Sequence, residues 1–120
     1  MEDFEIIYVD GVFVIAVNLT RPTINEAIAF RKIVEGEINS GRTKLVIDLS
    51  KCDFIDSTFF GAIIVGAKML IDLGYKLKVV KQTIVEEFIF THAYTSRVFD
   101  IYKTREDAIK SFEEDIQPES

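Results

Sequence analysis

The chain has 120 residues, enough for one hydrophobic core and too few for two. At 48% hydrophobic it is a folding sequence, and 14 basic against 20 acidic residues, a net charge of -6, give no general phosphate-seeking field, which counts against direct nucleic-acid binding. Cys52 is the only cysteine, so an internal disulfide and a cysteine-based metal cluster are excluded and a reducing cytoplasm is the simple expectation.

The opening Met1-Glu2-Asp3 is acidic and leads into a strand pattern, unlike the basic and then apolar start of a secretory signal. Phe4 to Val9 and Val12 to Leu19 are β-rich runs separated by Asp10-Gly11, a pair suited to the positive φ angles of a two-residue hairpin. The first two strands are therefore predicted to be antiparallel. In the second run Phe13, Ile15, Val17 and Leu19 share one face and Val12, Val14, Ala16 and Asn18 the other, and apolar groups on both sides, except at Asn18, mark a strand inside the sheet. Thr23 followed by Glu26 makes a capping box, in which each side chain serves the other's free backbone N–H. It predicts a helix from Ile24 with Ala27, Phe30, Val34 and Ile38 as its buried stripe, stopped by Asn39-Ser40-Gly41.

Lys44 to Leu49 reads as the next strand, Ser50 to Ile55 as a loop, and about Ser57 to Leu73 as a helix closed by Gly74. In that helix Ile63, Ile64, Ala67, Leu70 and Ile71 recur at the three-and-four spacing of a core face. Its longest apolar run, Phe59 to Ala67, stops at Lys68, well short of the roughly 20 residues needed to cross a bilayer, so no membrane association is expected. Gly61 and Gly66 each cost about 1 kcal/mol of helix propensity relative to alanine, which predicts a compensating reason such as close approach of helix to sheet. Tyr75 to Val80 is a further strand, Thr83 with Glu86 caps a short helix through about Phe90, and Val98 to Tyr102 is a last strand. Thr104 with Asp107 starts a terminal helix through about Phe112.

Strands alternating with helices behind an opening hairpin predict an α/β fold: a single mixed, mainly parallel β-sheet with an N-terminal antiparallel hairpin and about four α-helices. The predicted organisation is one domain over residues 1–112 and an acidic tail over residues 113–120 that frays. In open sheets of this kind functional loops gather beyond the carboxyl ends of the parallel strands, which places Ser50 to Thr58 on that edge.

The stretch Asp56-Ser57-Thr58-Phe59-Phe60-Gly61 joins this loop to the long apolar helix, and its two hydroxyls fall at the helix N-terminus. There the first N–H groups lack helical partners and the peptide dipoles place partial positive charge, so a phosphoryl group would be tolerated by the fold while changing the surface offered to a partner. This is the logic of a phosphorylation switch. The plain alternative is that Asp56, Ser57 or Thr58 merely caps the helix. Phe59 and Phe60 point about 100° apart on the first turn; either one ring is left partly exposed as a protein-binding anchor, or both tuck into the core.

Other chemistries find less support. A nucleophilic serine would need His92, the sole histidine, as its base, and the Gly-x-Ser-x-Gly elbow is missing. Asp48, Asp53 and Asp56 bring three carboxylates to one edge, a pattern equally common on solvated loops, and neither a phosphate-loop nor a dinucleotide fingerprint occurs. The expectation is no metal and no cofactor.

Leu45-Val46-Ile47-Asp48-Leu49-Ser50 through Phe54-Ile55-Asp56-Ser57-Thr58 to Gly61 resembles the strand, loop and Asp-Ser-Ser/Thr-Gly-Leu-Gly switch of the STAS domains, in particular the free-standing bacterial anti-sigma factor antagonists. Phe99 to Ala108 is similar to that family's closing strand and helix start, and the likeness spans nearly the whole chain. The resemblance implies phosphorylation of the second hydroxyl, Thr58, with Ser57 as fallback, by an anti-sigma factor that is also a serine/threonine kinase. It further implies that the unphosphorylated form binds that kinase and frees a sigma factor, and that a PP2C-type phosphatase restores it. The chain would then be a substrate and binder in the cytoplasm, not an enzyme, contacting its partner through Asp56, Ser57, Thr58, Phe59, Phe60, Thr20 and Arg21. Two departures stand out: Phe59-Phe60 replaces Gly-Leu, and Val17-Asn18-Leu19-Thr20 replaces an acidic Gly-Glu-Leu-Asp segment, so that a partner contact through that carboxylate is either lost or replaced, with Arg21 the candidate replacement. The rival expectation is a sensory or scaffold STAS module that binds a small ligand or larger assembly and is never phosphorylated.

Overall fold

A computed structural model describes residues 2–81 and 98–115. The elements are β1 (Phe4–Val9), β2 (Val12–Val17), α1 (Ile24–Asn39), β3 (Leu45–Asp48), α2 (Ser57–Asp72), β4 (Leu77–Val80), β5 (Phe99–Tyr102) and α3 (Arg105–Asp115). The strands form one five-stranded sheet in the order β1-β2-β3-β4-β5. Only the β1–β2 pair is antiparallel, in a register running from Phe4 opposite Val17 to Val9 opposite Val12; the other three pairs are parallel. The turn between them puts Asp10 at φ 52° and Gly11 at φ 81°, the two positive angles that this hairpin type requires.

Helices α1 and α2 lie together on one face of the sheet. Ala27, Phe30, Val34 and Ile38 of α1 and Phe59, Ala62, Ile63, Ala67 and Leu70 of α2 close over Ile15, Val17, Ile47 and Val79. The predicted stripe of α1 is the buried one, and the Thr23–Glu26 capping box is formed. On the opposite face α3 presses Ala108 and Phe112 against Val12, Val14, Val46 and Val80. The alternation expected in β2 is thus used on both sides, because β2 is an interior strand covered by helices above and below.

Gly66 has a different partner from the one expected. A Cβ there would stand 2.6 Å from Cγ1 of Val34, so the close approach is between α2 and α1 rather than between helix and sheet. At Gly61 a Cβ would meet nothing within 4 Å, and no close approach accounts for it. Three of the expected helices are present among the described residues, α3 running to Asp115; the helix expected from Thr83, together with His92, lies outside the described residues. Among the described residues no helix is long and apolar enough to cross a membrane.

Candidate functional site

Two connections meet beyond the carboxyl ends of β2 and β3. The carbonyl of Thr20 accepts from the N–H groups of Asp53 (2.6 Å) and Phe54 (3.3 Å), and that of Pro22 accepts from Asp56 N (3.3 Å). Lys51 Nζ donates to Asn18 Oδ1 at 3.2 Å, and the Arg21 guanidinium sits 5.5 Å from the centre of the Phe54 ring. Thr20 and Arg21, both exposed, are therefore laced to the loop that leads into α2. From below, Lys81 Nζ at the end of β4 donates to the Cys52 carbonyl at 3.0 Å, and Cys52 itself is buried. At the end of β3, Asp48 Oδ2 accepts from Nε and Nη2 of Arg105 at 2.8 Å each, while its Oδ1 accepts from Ser50 N. The loop is held at its root by a charge-assisted fork to α3.

The bland capping role falls to Asp56. Its Oδ1 accepts from Phe59 N at 2.8 Å and caps α2, and its Oδ2 accepts from Ile24 N at 3.1 Å, so one carboxylate serves the first turns of both α1 and α2. Two of the three carboxylates considered for a metal are thus engaged elsewhere, Asp48 with Arg105 and Asp56 with two backbone amides; Asp53 is exposed. Ser57 and Thr58 follow on the first turn of α2, both exposed, and among the described residues neither hydroxyl has a hydrogen-bond partner.

The two phenylalanines part company. Phe59 is fully buried against Phe30 (ring centroids 4.6 Å apart) and Phe4 (6.3 Å), so its ring cannot meet a partner. Phe60 is half-buried, edge-on to Phe99 at 6.2 Å. The exposed apolar groups of this edge are others: Phe54 at 42%, and Ile24 and Ile28 on α1 at 58% and 67%. Sequence reasoning missed these two isoleucines, although both lie off the stripe of Ala27, Phe30, Val34 and Ile38; large apolar side chains four residues apart on the polar face of a helix were the available signal. Ile28 joins Ala27, Arg31, Thr58, Gly61, Ala62 and Val65 around a groove of about 320 Å³ between α1 and α2.

No protein-family model matches the sequence, and no curated protein matches it. Solved structures do. A candidate anti-sigma factor antagonist of Thermotoga maritima is 26% identical, with a TM-score of 0.77 over 90% of this chain and 92% of that one. An anti-sigma-factor antagonist (STAS) domain protein from Planctomyces limnophilus superposes with a TM-score of 0.81 at 16% identity, over 93% of this chain and 99% of its own. The Bacillus cell fate determinant SpoIIAA in its phosphorylated form gives a TM-score of 0.73 at 16% identity, over 91% of this chain and 98% of its own. With the same fold over at least nine-tenths of its length and the Asp56-Ser57-Thr58 turn at the edge where two loops converge, the chain has the fold of these STAS-domain proteins and is similar to the anti-sigma factor antagonists among them.

Proposed function

We propose that the protein is an anti-sigma factor antagonist whose association with an anti-sigma factor is switched by phosphorylation of Thr58. The observation that supports this best is the division of labour at the head of α2: Asp56 takes the cap, leaving the hydroxyls of Ser57 and Thr58 exposed and unused. They lie near exposed apolar groups of the kind that anchor interfaces, Phe54 and Ile28, with Arg21 beside the former. In the transfer a kinase moves the terminal phosphoryl group of a nucleoside triphosphate to the Thr58 oxygen, which gains a P–O bond and gives up its proton. Ser57, equally exposed, is the alternative acceptor. Among the structural neighbours SpoIIAA is found in a phosphorylated form, which fits this reading.

The partner in this reading is an anti-sigma factor with serine/threonine kinase activity, met in the cytoplasm through Thr20, Arg21, Asp56, Ser57, Thr58 and the exposed part of Phe60. Phe54 joins them in place of Phe59. A PP2C-type phosphatase reverses the mark, and the protein is substrate and binder rather than catalyst. Covering about two added charges without basic compensation costs several kcal/mol, a loss of about a hundredfold or more in affinity. Thr58→Glu is expected to lose the partner in pull-down and titration calorimetry while Thr58→Ala keeps it. Unchanged affinity of Thr58→Glu, together with no added phosphoryl mass on Thr58 or Ser57 in cells, would reject the switch in favour of a STAS module that binds a ligand or larger assembly without modification.

A further inference from the structure

The groove between α1 and α2 has a hydroxyl on one wall and a cation on the other. Thr58 lines it from the first turn of α2 and Arg31 from the middle of α1. The rest of the lining is Ala27, Ile28, Gly61, Ala62 and Val65, three of them small, and even a Cβ at Gly61 would meet nothing within 4 Å. The space separating cation from hydroxyl is therefore open. At present Arg31 Nε donates to Glu35 Oε2 at 2.7 Å, one helical turn on and away from the shared helix starts near which Thr58 stands. Among the described residues its two terminal nitrogens have no protein partner, and the pair with Glu35 is an exposed one that holds the guanidinium weakly, so the side chain is free to turn back toward an anion at the head of α2.

We propose that Arg31 is the receiver of the phosphoryl group once Thr58 carries one, drawing it into the α1–α2 groove. This deepens the switch described above and rests on Thr58 being the modified residue. The chemistry suits a phosphate monoester: a planar fork with terminal N–H groups pairs with two phosphate oxygens, and the gain from a dianion exceeds that from the exposed carboxylate of Glu35. The arrangement also answers a local conflict. Asp56 sits two residues before Thr58 with its carboxylate already on the helix end, and an added dianion there needs a nearby cation. The charged groups on the elements around Thr58 are Glu26, Arg31, Lys32, Glu35 and Glu37 on α1, Lys68 and Asp72 on α2, and Arg21, Lys51, Asp53 and Asp56 in the loops; Glu26 is held in the Thr23 box, Arg21 lies over Phe54 and Lys51 donates to Asn18. Arg31 is the cation that lines the groove with Thr58. The consequence is a mark that pins one helix to the other as well as adding charge to the surface.

The test installs phosphothreonine at position 58 during synthesis of the full chain, so no kinase is involved. The second ionisation of a free phosphothreonine falls at about pH 6, and a neighbouring cation lowers it. Followed by phosphorus NMR, this ionisation is expected at a pH lower by at least about half a unit in the parent chain than in Arg31→Gln, with Arg31→Lys between them. Melting temperatures provide the control: Arg31→Gln should lower that of the phosphorylated chain by clearly more than that of the unmodified chain, which loses only the exposed pair with Glu35. Superimposed titrations of parent and Arg31→Gln, or an equal melting shift with and without the phosphoryl group, would overturn the assignment while leaving Thr58 a possible switch. Absence of any phosphoryl group on Thr58 in cells would instead remove the switch and leave this titration untouched.

Discussion

The two faces of the sheet are built on different principles. Under α1 and α2 the large buried cluster is apolar and centres on three rings, Phe4, Phe30 and Phe59, with centroids 4.6 to 6.3 Å apart, and the buried Lys81 reaches only its margin, at the Cys52 carbonyl. Under α3 the apolar cluster is smaller and charge is admitted: Lys78 is buried, 4.7 Å from the centre of the Phe112 ring with Asp100 at 3.8 Å, and Asp48 is buried beneath Arg105. The first face supplies most of the hydrophobic driving force. The second uses directed contacts, which fix where the end of β3 and the loop beyond it must lie. The candidate switch stands at the junction, its backbone set into the apolar face by Phe59 and its root moored to the polar one through Asp48.

If that division is right, removing a ring and removing a charge should differ in size. Phe59→Ala empties the centre of the aromatic cluster and should cost about 3–5 kcal/mol, read as a lower midpoint in urea denaturation. Arg105→Ala leaves the buried Asp48 carboxylate with one remaining N–H donor. Because the arginine is itself about a third exposed, the loss is discounted to about 2 kcal/mol, and Asp48→Asn in the same background should recover part of it. Asp56→Ala removes a cap from two helices at once, for about 1–2 kcal/mol in the same assay. Thr58→Glu should move the midpoint by less than about 0.5 kcal/mol, since the side chain is exposed and at a tolerant helix end. An Arg105→Ala loss as large as that of Phe59→Ala would mean that the polar face carries the fold after all.

What the sequence disclosed was local. Asp10-Gly11, the Thr23–Glu26 box, the glycine after each long helix and the stripe of α1 each draw their signal from residues within a turn or two, and each is where it was expected. Contacts distant in sequence were hidden. The fork from Arg105 to Asp48 spans 57 positions and the bond from Ile24 N to Asp56 spans 32, and nothing in either stretch advertises the other. For the same reason the particular partner of Gly66 was not legible: its neighbour Val34 lies on another helix, brought there by the crossover. At the candidate site the position of the hydroxyls was legible, but the fate of the two rings was not. The 100° between Phe59 and Phe60 says that they diverge and not which one faces inward.

The shared carboxylate of Asp56 ties together events that the chain's order keeps apart. Opening of the first turn of α2 releases one oxygen of the carboxylate whose other oxygen holds the first turn of α1, so the amide protons of Ile24 and Phe59 should exchange with solvent at rates that rise together when either turn is loosened. A partner that grips only one of the two helix ends would thereby be felt at the other.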